Sequence, residues 1–521
     1  MSKMLKSSGA MAAATMTSRV LGMVREMVYA GFMGNTWIAS AFQLAFQVPN
    51  LFRRLLGEGA LTAAFIPIFK KKEVHEGESE MWRAANAVIS GLVTAAAAVT
   101  ALAVAAVTVF LVVKGKDIEP ETKLMLELLR LMFPYMLLVC LAAVLIGMAN
   151  ARGHFFVPAL GAAILNVVMI ASVLFLAPRL GRTLEEQIFG LAIGVVLAGI
   201  AQAFFQLPSL EREGYRYRWV SPWRDPTVRE VVRKMLPGSI GVAAFQINVL
   251  IISVASFWFE PTIVATFNYS VRLMELPQGM FGISLATYLL PTLSGLAAEK
   301  KYPEFRQCLD QGLDYLAFAN LIAAAIAFAL AEPIVRLIFE HGKFGPGATF
   351  RVAWALKCLA PGLLMFSMNN ILARAFYALN DIKTPMKISL ACLGLNLGFA
   401  LWLVHPYREA GLGVANTLSA TFNVCLLMYA LRRKLSTLNL GGFRQTLLVL
   451  APTAVLAGAA AAALSSVWEK KLGHGTLWLR LGAVFAPGAV GGLAYWLAAV
   501  VAKVPAATDI LQLLLRRKKS L

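Results

Sequence analysis

Residues 84–113 read AANAVISGLVTAAAAVTALAVAAVTVFLVV, thirty positions without an Asp, Glu, Lys or Arg. A helix crosses the hydrocarbon of a bilayer with about 20 mostly apolar residues, so this stretch is long enough to span. It is apolar on every side rather than along one stripe, which suits a helix surrounded by lipid. Working outward, further charge-free gaps occupy 131–151, 155–178, 187–210, 235–259, 276–298, 315–331, 358–373, 388–404, 410–431, 445–468 and 481–502. The shortest reach full length by extending past a neighbouring ionisable residue. Segments 11–33 and 38–69 are equally long and apolar but contain arginines and glutamates. The expectation is an all-α integral membrane protein with fourteen transmembrane helices.

Composition agrees with that reading. Of 521 residues, 59% are hydrophobic and 15% charged, and mean hydropathy is +0.69; a soluble domain is nearer 25% charged. The net charge of +20 does not point to nucleic acid, because the basic residues lie between apolar runs. They suit an anionic leaflet and an anionic ligand. With the N-terminus inside, cytoplasmic segments hold 28 Lys and Arg against 12 outside, so the positive-inside rule puts both termini in the cytoplasm. Lys3 and Lys6 precede an apolar stretch that runs on into Arg19 and Arg25, which is unlike a cleaved signal peptide. The five cysteines are scattered without CxxC spacing, and the five histidines sit in expected loops without a His–carboxylate cluster. No metal, no cofactor and no enzymatic chemistry is expected from them.

An internal duplication is readable. Arg54-Leu-Leu-Gly-Glu58 opens a stretch ending at Pro67, and Arg272-Leu-Met-Glu275 opens one ending at Pro291; the two arginines are offset by 218. Asn150 and Pro158 resemble Asn380 and Pro385, and Gly190-Leu-Ala-Ile-Gly resembles Gly411-Leu-Gly-Val-Ala at an offset of 221. Six helices separate the copies, an even number. Both halves therefore enter the membrane from the same side, related by a pseudo-twofold axis along its normal, the plan of transporters that rock around a site between two lobes. The organisation expected is an N-lobe (helices 1–6) over 1–210, a cytoplasmic amphipathic linker over 211–235, a C-lobe (helices 7–12) over 236–434, and two extra helices with a basic tail over 435–521. The linker alternates arginine with aromatic residues. In a cytoplasmic loop of a membrane protein that pattern suits the headgroup region better than RNA.

The arginines inside expected spans carry the chemistry. One at mid-membrane costs at least ~2.5 kcal/mol on insertion scales and normally faces a protein interior or a wet cavity. Arg54 with Glu58 and Arg272 with Glu275 have the spacing of self-satisfied pairs on one helix face. Arg19 and Arg53 lack an in-helix partner, and Glu26 beside Arg25 points to another side of the helix. Arg130 and Lys357 suit snorkelling near helix ends; Arg374 could snorkel or serve a ligand. Arg19, Arg25, Arg53, Arg54 and Arg272 exceed Glu26, Glu58 and Glu275 by two charges. A dianion fits that surplus, and the guanidinium fork matches phosphate oxygens as lysine cannot. Pro49, Gly22, Gly57 and Gly59 are expected to break helices 1 and 2 near these charges.

Ser18-Arg-Val-Leu-Gly-Met-Val-Arg-Glu26, Ala41-Phe-Gln-Leu-Ala-Phe-Gln-Val-Pro-Asn-Leu-Phe-Arg-Arg-Leu-Leu-Gly-Glu-Gly-Ala60 and Ala64-Phe-Ile-Pro67 resemble the N-terminal signature of the MurJ (MviN) family. Arg272-Leu-Met-Glu-Leu-Pro-Gln-Gly279, Ala373-Arg-Ala-Phe-Tyr-Ala378 and Asp381-Ile-Lys-Thr-Pro385 add to the similarity, which covers essentially the whole chain. These are lipid II flippases of the multidrug/oligosaccharidyl-lipid/polysaccharide exporter superfamily. The resemblance implies outward flipping of undecaprenyl-diphosphate-disaccharide-pentapeptide across the bacterial cytoplasmic (inner) membrane. It implies a diphosphate held by Arg19, Arg25, Arg53 and Arg272, acidic partners Glu26 and Glu58, and support from Ser18, Asn50, Arg54, Glu275 and Arg374. The two extra helices would form a groove for the lipid tail. The expected partners are lipid II, membrane lipids and the cell-wall synthesis machinery, with the chain acting as a monomer and binding no nucleic acid. Ser40 departs from the family, which commonly has Asp there. Helices 236–258 and 388–404 hold no Asp or Glu, so sodium coupling is not supported, although Asn248 and Asn396 offer oxygens. The alternatives are a flippase for another polyprenyl-diphosphate glycan and, more remotely, a multidrug exporter. The exporter would want cavity carboxylates, whereas this N-lobe has arginines in surplus.

Overall fold

A computed structural model describes residues 2–57, 60–435 and 441–518, and these contain helices and turns but no strand. Glu58 and Gly59 lie outside the described residues. The chain divides into two compact units, Met1–Ala265 and Thr266–Leu521.

The first unit contains α1 (Ser2–Met33), α2 (Trp37–Phe52), α3 (Ala60–Glu76), α4 (Glu78–Lys114), α5 (Pro120–Met132), α6 (Tyr135–Ala151), α7 (Phe156–Ala171), α8 (Leu184–Phe204), α9 (Leu207–Glu211) and α10 (Pro226–Phe259). Local signals start them. Thr36 accepts a hydrogen bond from the Ala39 N–H at 3.2 Å at the head of α2. Thr183 and Glu186 form a reciprocal capping box on α8, and Asp225 accepts from the Thr227 and Val228 N–H groups at 2.8 and 3.2 Å ahead of Pro226. Each such cap contributes ~0.5–2 kcal/mol. α1 packs on α7, α7 on α8, α8 on α6, and α10 on α3. The core joins Phe65, Phe69, Met81, Ile89, Leu145 and Met148 from α3, α4 and α6. The second half of α4 leaves Leu102, Val109, Phe110, Val112 and Val113 exposed, a surface that only a lipid environment would cover.

The second unit contains α11 (Thr262–Pro277, which starts in the first), α12 (Ser284–Ala298), α13 (Tyr302–Ala329), α14 (Ala331–Phe339), α15 (Pro346–Leu359), α16 (Leu363–Ala378), α17 (Lys383–Lys434), α18 (Gly441–Lys471), α19 (Leu477–Val501) and α20 (Pro505–Lys518). Its core is built from α12, α13, α16 and the later part of α17, and α18 packs on α13 and α19. The charge-free gaps 388–404 and 410–431 both fall on α17, whose helical geometry fails at one residue, Arg408 (φ 50°, ψ −130°). Beside it, Arg351 grips buried Glu409 with two hydrogen bonds of 2.7 Å.

Ten helices among the described residues are long and apolar enough to cross a membrane, or eleven when the bent pair α5–α6 is one span. The protein is therefore multi-pass. Two expectations about breaks change. α1 runs unbroken through Gly22, because a single glycine costs a helix only ~1 kcal/mol. Pro49 is absorbed within α2, and the disruption comes after it, as a π-helical turn over Arg53–Gly57. A second π segment, Gln278–Ile283, follows Pro277 directly, in the stretch that the expected sequence repeat pairs with this one.

Candidate functional site

Arg25 lies on α1 where that helix meets α7. Its Nη1 donates to Asn166 Oδ1 at 3.0 Å, and Nη2 to Glu26 Oε1 at 2.5 Å. Asn166 in turn donates through Nδ2 to the Ser18 carbonyl at 3.2 Å. The guanidinium carbon stands 5.5 Å from the Tyr29 ring centroid, a cation–π distance. The side chains of Arg25 and Glu26 are 16% and 11% exposed. A cation and an anion are thus held inside an apolar helix pair by named partners, which keeps burial affordable for both.

This corrects the expectation that Glu26 points away. Neighbours on a helix diverge by about 100°, but the long arginine stem folds across that angle. Asn166 was missed altogether, since 141 residues separate it from Arg25. The available signal was a lone asparagine in the apolar span 155–178, because polar side chains inside spans usually face a partner helix.

The remaining site residues divide by surroundings. Arg19 is exposed and makes no hydrogen bond or ion pair among the described residues. Arg53 and Arg54 are half-buried in the π turn after α2, and Asn50 is half-buried one turn earlier. Glu58 lies outside the described residues. In the second unit Arg272 Nη1 donates to Glu275 Oε2 at 2.7 Å, with side chains 42% and 49% exposed. Arg374 donates to the Ile283 carbonyl at 3.2 Å and to Thr287 Oγ1 at 2.8 Å. It therefore meets a carbonyl at the end of the second π segment, where the regular ladder is interrupted.

Ser40 is fully buried and accepts a 2.9 Å hydrogen bond from the Ala265 N–H. That donor belongs to the first turn of α11, whose amides lack intrahelical acceptors, so the hydroxyl has a structural task here. Asn396 donates to Asn416 Oδ1 at 3.3 Å, and no group of three or more His, Cys, Asp or Glu among the described residues could hold a metal. Two of the five histidines meet carboxylates, contrary to expectation. His154 Nε2 lies 2.8 Å from Glu213 and His474 Nδ1 lies 2.6 Å from Glu469. Folding brings the first pair together from 59 residues apart.

A family profile described as "Lipid II flippase MurJ" matches residues 29–482. The chain belongs to the MurJ family. Among its relatives, a probable lipid II flippase MurJ from Vibrio cholerae is 33% identical over 436 residues, covering 82% of each chain. A lipid II flippase MurJ from Burkholderia cenocepacia is 32% identical, covering 81% of this chain and 82% of that one. A solved structure titled "Lipid II flippase MurJ, inward closed conformation" superposes with a TM-score of 0.76 at 21% identity over 94% of this chain and 98% of the other. An inward-facing multidrug resistance MATE family transporter of the MOP superfamily gives a TM-score of 0.66 at 14% identity, over 82% of this chain and 98% of that one. The two superpositions show the shared fold.

Proposed function

We propose that this chain is a transporter, not a catalyst, which moves lipid II from the cytoplasmic to the outer leaflet by alternating access. Membership of the MurJ family supports the substrate. The observation that carries the site is Arg25, buried in an apolar helix pair yet oriented by Asn166, Glu26 and Tyr29. Arg19 stands on the same helix without a partner among the described residues. A fixed guanidinium beside an uncommitted one suits a diphosphate, whose oxygens accept paired hydrogen bonds from arginine. Arg53 and Arg272, with Glu26 and Glu58, complete the proposed site; Ser18, Asn50, Arg54, Glu275 and Arg374 support it.

The two six-helix lobes, the linker over 211–235 and the lipid-tail groove of the last two helices belong to the same proposal. Fourteen spans follow when α17 counts as two and α1 and the α2–α3 helix are admitted despite their arginines. Both termini then face the cytoplasm from the inner membrane, and the protein works as a monomer beside the cell-wall synthesis machinery. Complementation in a strain depleted of its own flippase tests the proposal. The wild-type chain restores growth and outer-leaflet lipid II. A chain that inserts normally yet restores neither refutes it.

A further inference from the structure

Residues 211–234 contain seven Lys and Arg and four acidic residues; three of the acids are engaged with basic partners, and the fourth, Glu211, is exposed at the end of α9, before the strap begins. Glu213 pairs with Arg152 at 2.8 Å and with His154 at 2.8 Å; these partners hold its carboxyl below the usual carboxylate range. Asp225 pairs with Arg83 at 2.9 Å and caps α10. Glu230 pairs with Lys234 at 2.6 Å. Arg216, Arg218 and Arg224 are exposed, and their guanidinium groups have no acidic partner among the described residues.

Between Tyr215 and Pro222 the backbone is an extended strap laid along the start of α4. Asn86 Nδ2 donates to the Arg216 carbonyl at 3.0 Å, the Val220 N–H donates to Ser90 Oγ at 3.3 Å, and Tyr217 Oη lies 3.2 Å from Ser90 Oγ. Tyr215 is buried against Trp82, with ring centroids 5.4 Å apart. Pro222 passes so close to Gly91 that a Cβ there would sit 3.2 Å from its own. The inner edge is therefore fixed, and the outer edge is presented as a unit. That edge carries Trp219 and Trp223, 60% and 76% exposed, among the three arginines.

We infer that this strap is a binding surface for anionic phospholipid headgroups, with Arg216, Arg218 and Arg224 contacting lipid phosphates and Trp219 and Trp223 seated at the interface. The partner follows from the chemistry. The guanidinium groups of Arg216, Arg218 and Arg224 pair with no acid among the described residues, indole rings prefer the boundary between hydrocarbon and water, and the strap is pinned to the first turns of α4, whose second half exposes apolar side chains. An RNA strand would also match arginine and aromatic side chains, but the helix to which the strap is pinned continues into a charge-free run over 91–113 with exposed apolar side chains, which favours a bilayer beside the strap.

Native mass spectrometry of the full chain, released from micelles containing equal phosphatidylglycerol and phosphatidylcholine, tests this without any transport step. The wild type retains phosphatidylglycerol preferentially. A triple Arg216→Gln, Arg218→Gln, Arg224→Gln variant loses that preference by about fivefold per arginine, the worth of one basic residue near an anionic surface. A control triple on the opposite face, Lys114→Gln, Lys116→Gln, Arg179→Gln, keeps it. Equal retention of both lipids by the wild type, an unchanged preference in the strap variant, or tighter binding of an RNA oligonucleotide than of phosphatidylglycerol would each overturn the inference.

Discussion

Arg25 on α1 is tethered to another helix as well as to its neighbour, whereas the ion pair of Arg272 on α11 is made with its own helix. Arg25 takes Asn166 from α7 and the Glu26 carboxylate, and its side chain is 16% exposed. Arg272 takes Glu275 one turn along, and both side chains are more than 40% exposed. An ion pair of the second kind contributes ~0.3–0.5 kcal/mol and breaks readily. The first kind is expensive to disturb, since stranding one buried partner costs ~3–5 kcal/mol. The contrast suggests a division of labour within one charge type: a preorganised guanidinium in the first unit and a releasable one in the second.

The largest effect should come from Arg25→Lys. Lysine keeps the charge but not the fork that reaches Asn166 and Glu26 together. Loss of two charge-assisted contacts at ~1.5–3 kcal/mol each should lower flipping by at least about a hundredfold, with membrane insertion retained. Asn166→Leu comes next. It leaves the Arg25–Glu26 pair and removes only the inter-helix tether, so transport should fall about tenfold for ~1–2 kcal/mol, read by rescue of a depleted strain at graded expression. A leucine variant with full activity would remove the distinction between tethered and self-paired arginines. Arg272→Lys should cost about threefold or less, because lysine at that spacing can still reach Glu275; a loss as severe as that of Arg25→Lys would break the comparison from the other side.

The smallest effect lies away from the site. Asp381 accepts from the Thr384 N–H at 3.0 Å and pairs with Lys434 at 2.6 Å. The Lys434 contact first, and the Thr384 hydrogen bonds after it, push its carboxyl down to about 2. A depressed carboxyl stabilises the fold above its unfolded value near 4, and that contribution is lost as pH falls from about 4 to about 2. Asp381→Asn keeps an acceptor for the Thr384 N–H but loses the ion pair with Lys434, so it should lower stability by ~0.5–1 kcal/mol near neutral pH, with the penalty fading on acidification. Thermal melts of the purified protein across that range would detect it.

Much of the helix plan was legible, because a charge-free run of apolar residues has one cheap fate in a bilayer. The run at 84–113 became α4, and spacing alone found the Arg272–Glu275 pair. What was not legible depended on distance in sequence or on backbone detail. Asn166, buried Glu409 with Arg351, and His154 with Glu213 meet their partners only through folding. Glycine content suggested a break in α1 that did not occur, since one glycine in a well-packed helix is tolerated. The π turn at Arg53–Gly57 has no side-chain pattern that distinguishes it from an ordinary helical turn.

Leaflet-resolved measurement of lipid II, in cells depleted of their own flippase and supplied with either the wild-type chain or the Arg25→Lys chain at matched membrane levels, decides whether the Arg25 fork is needed for transport. The wild type is expected to restore outer-leaflet lipid II, and the lysine variant to leave it trapped on the cytoplasmic side. Equal outer-leaflet lipid II from the two chains would contradict that need.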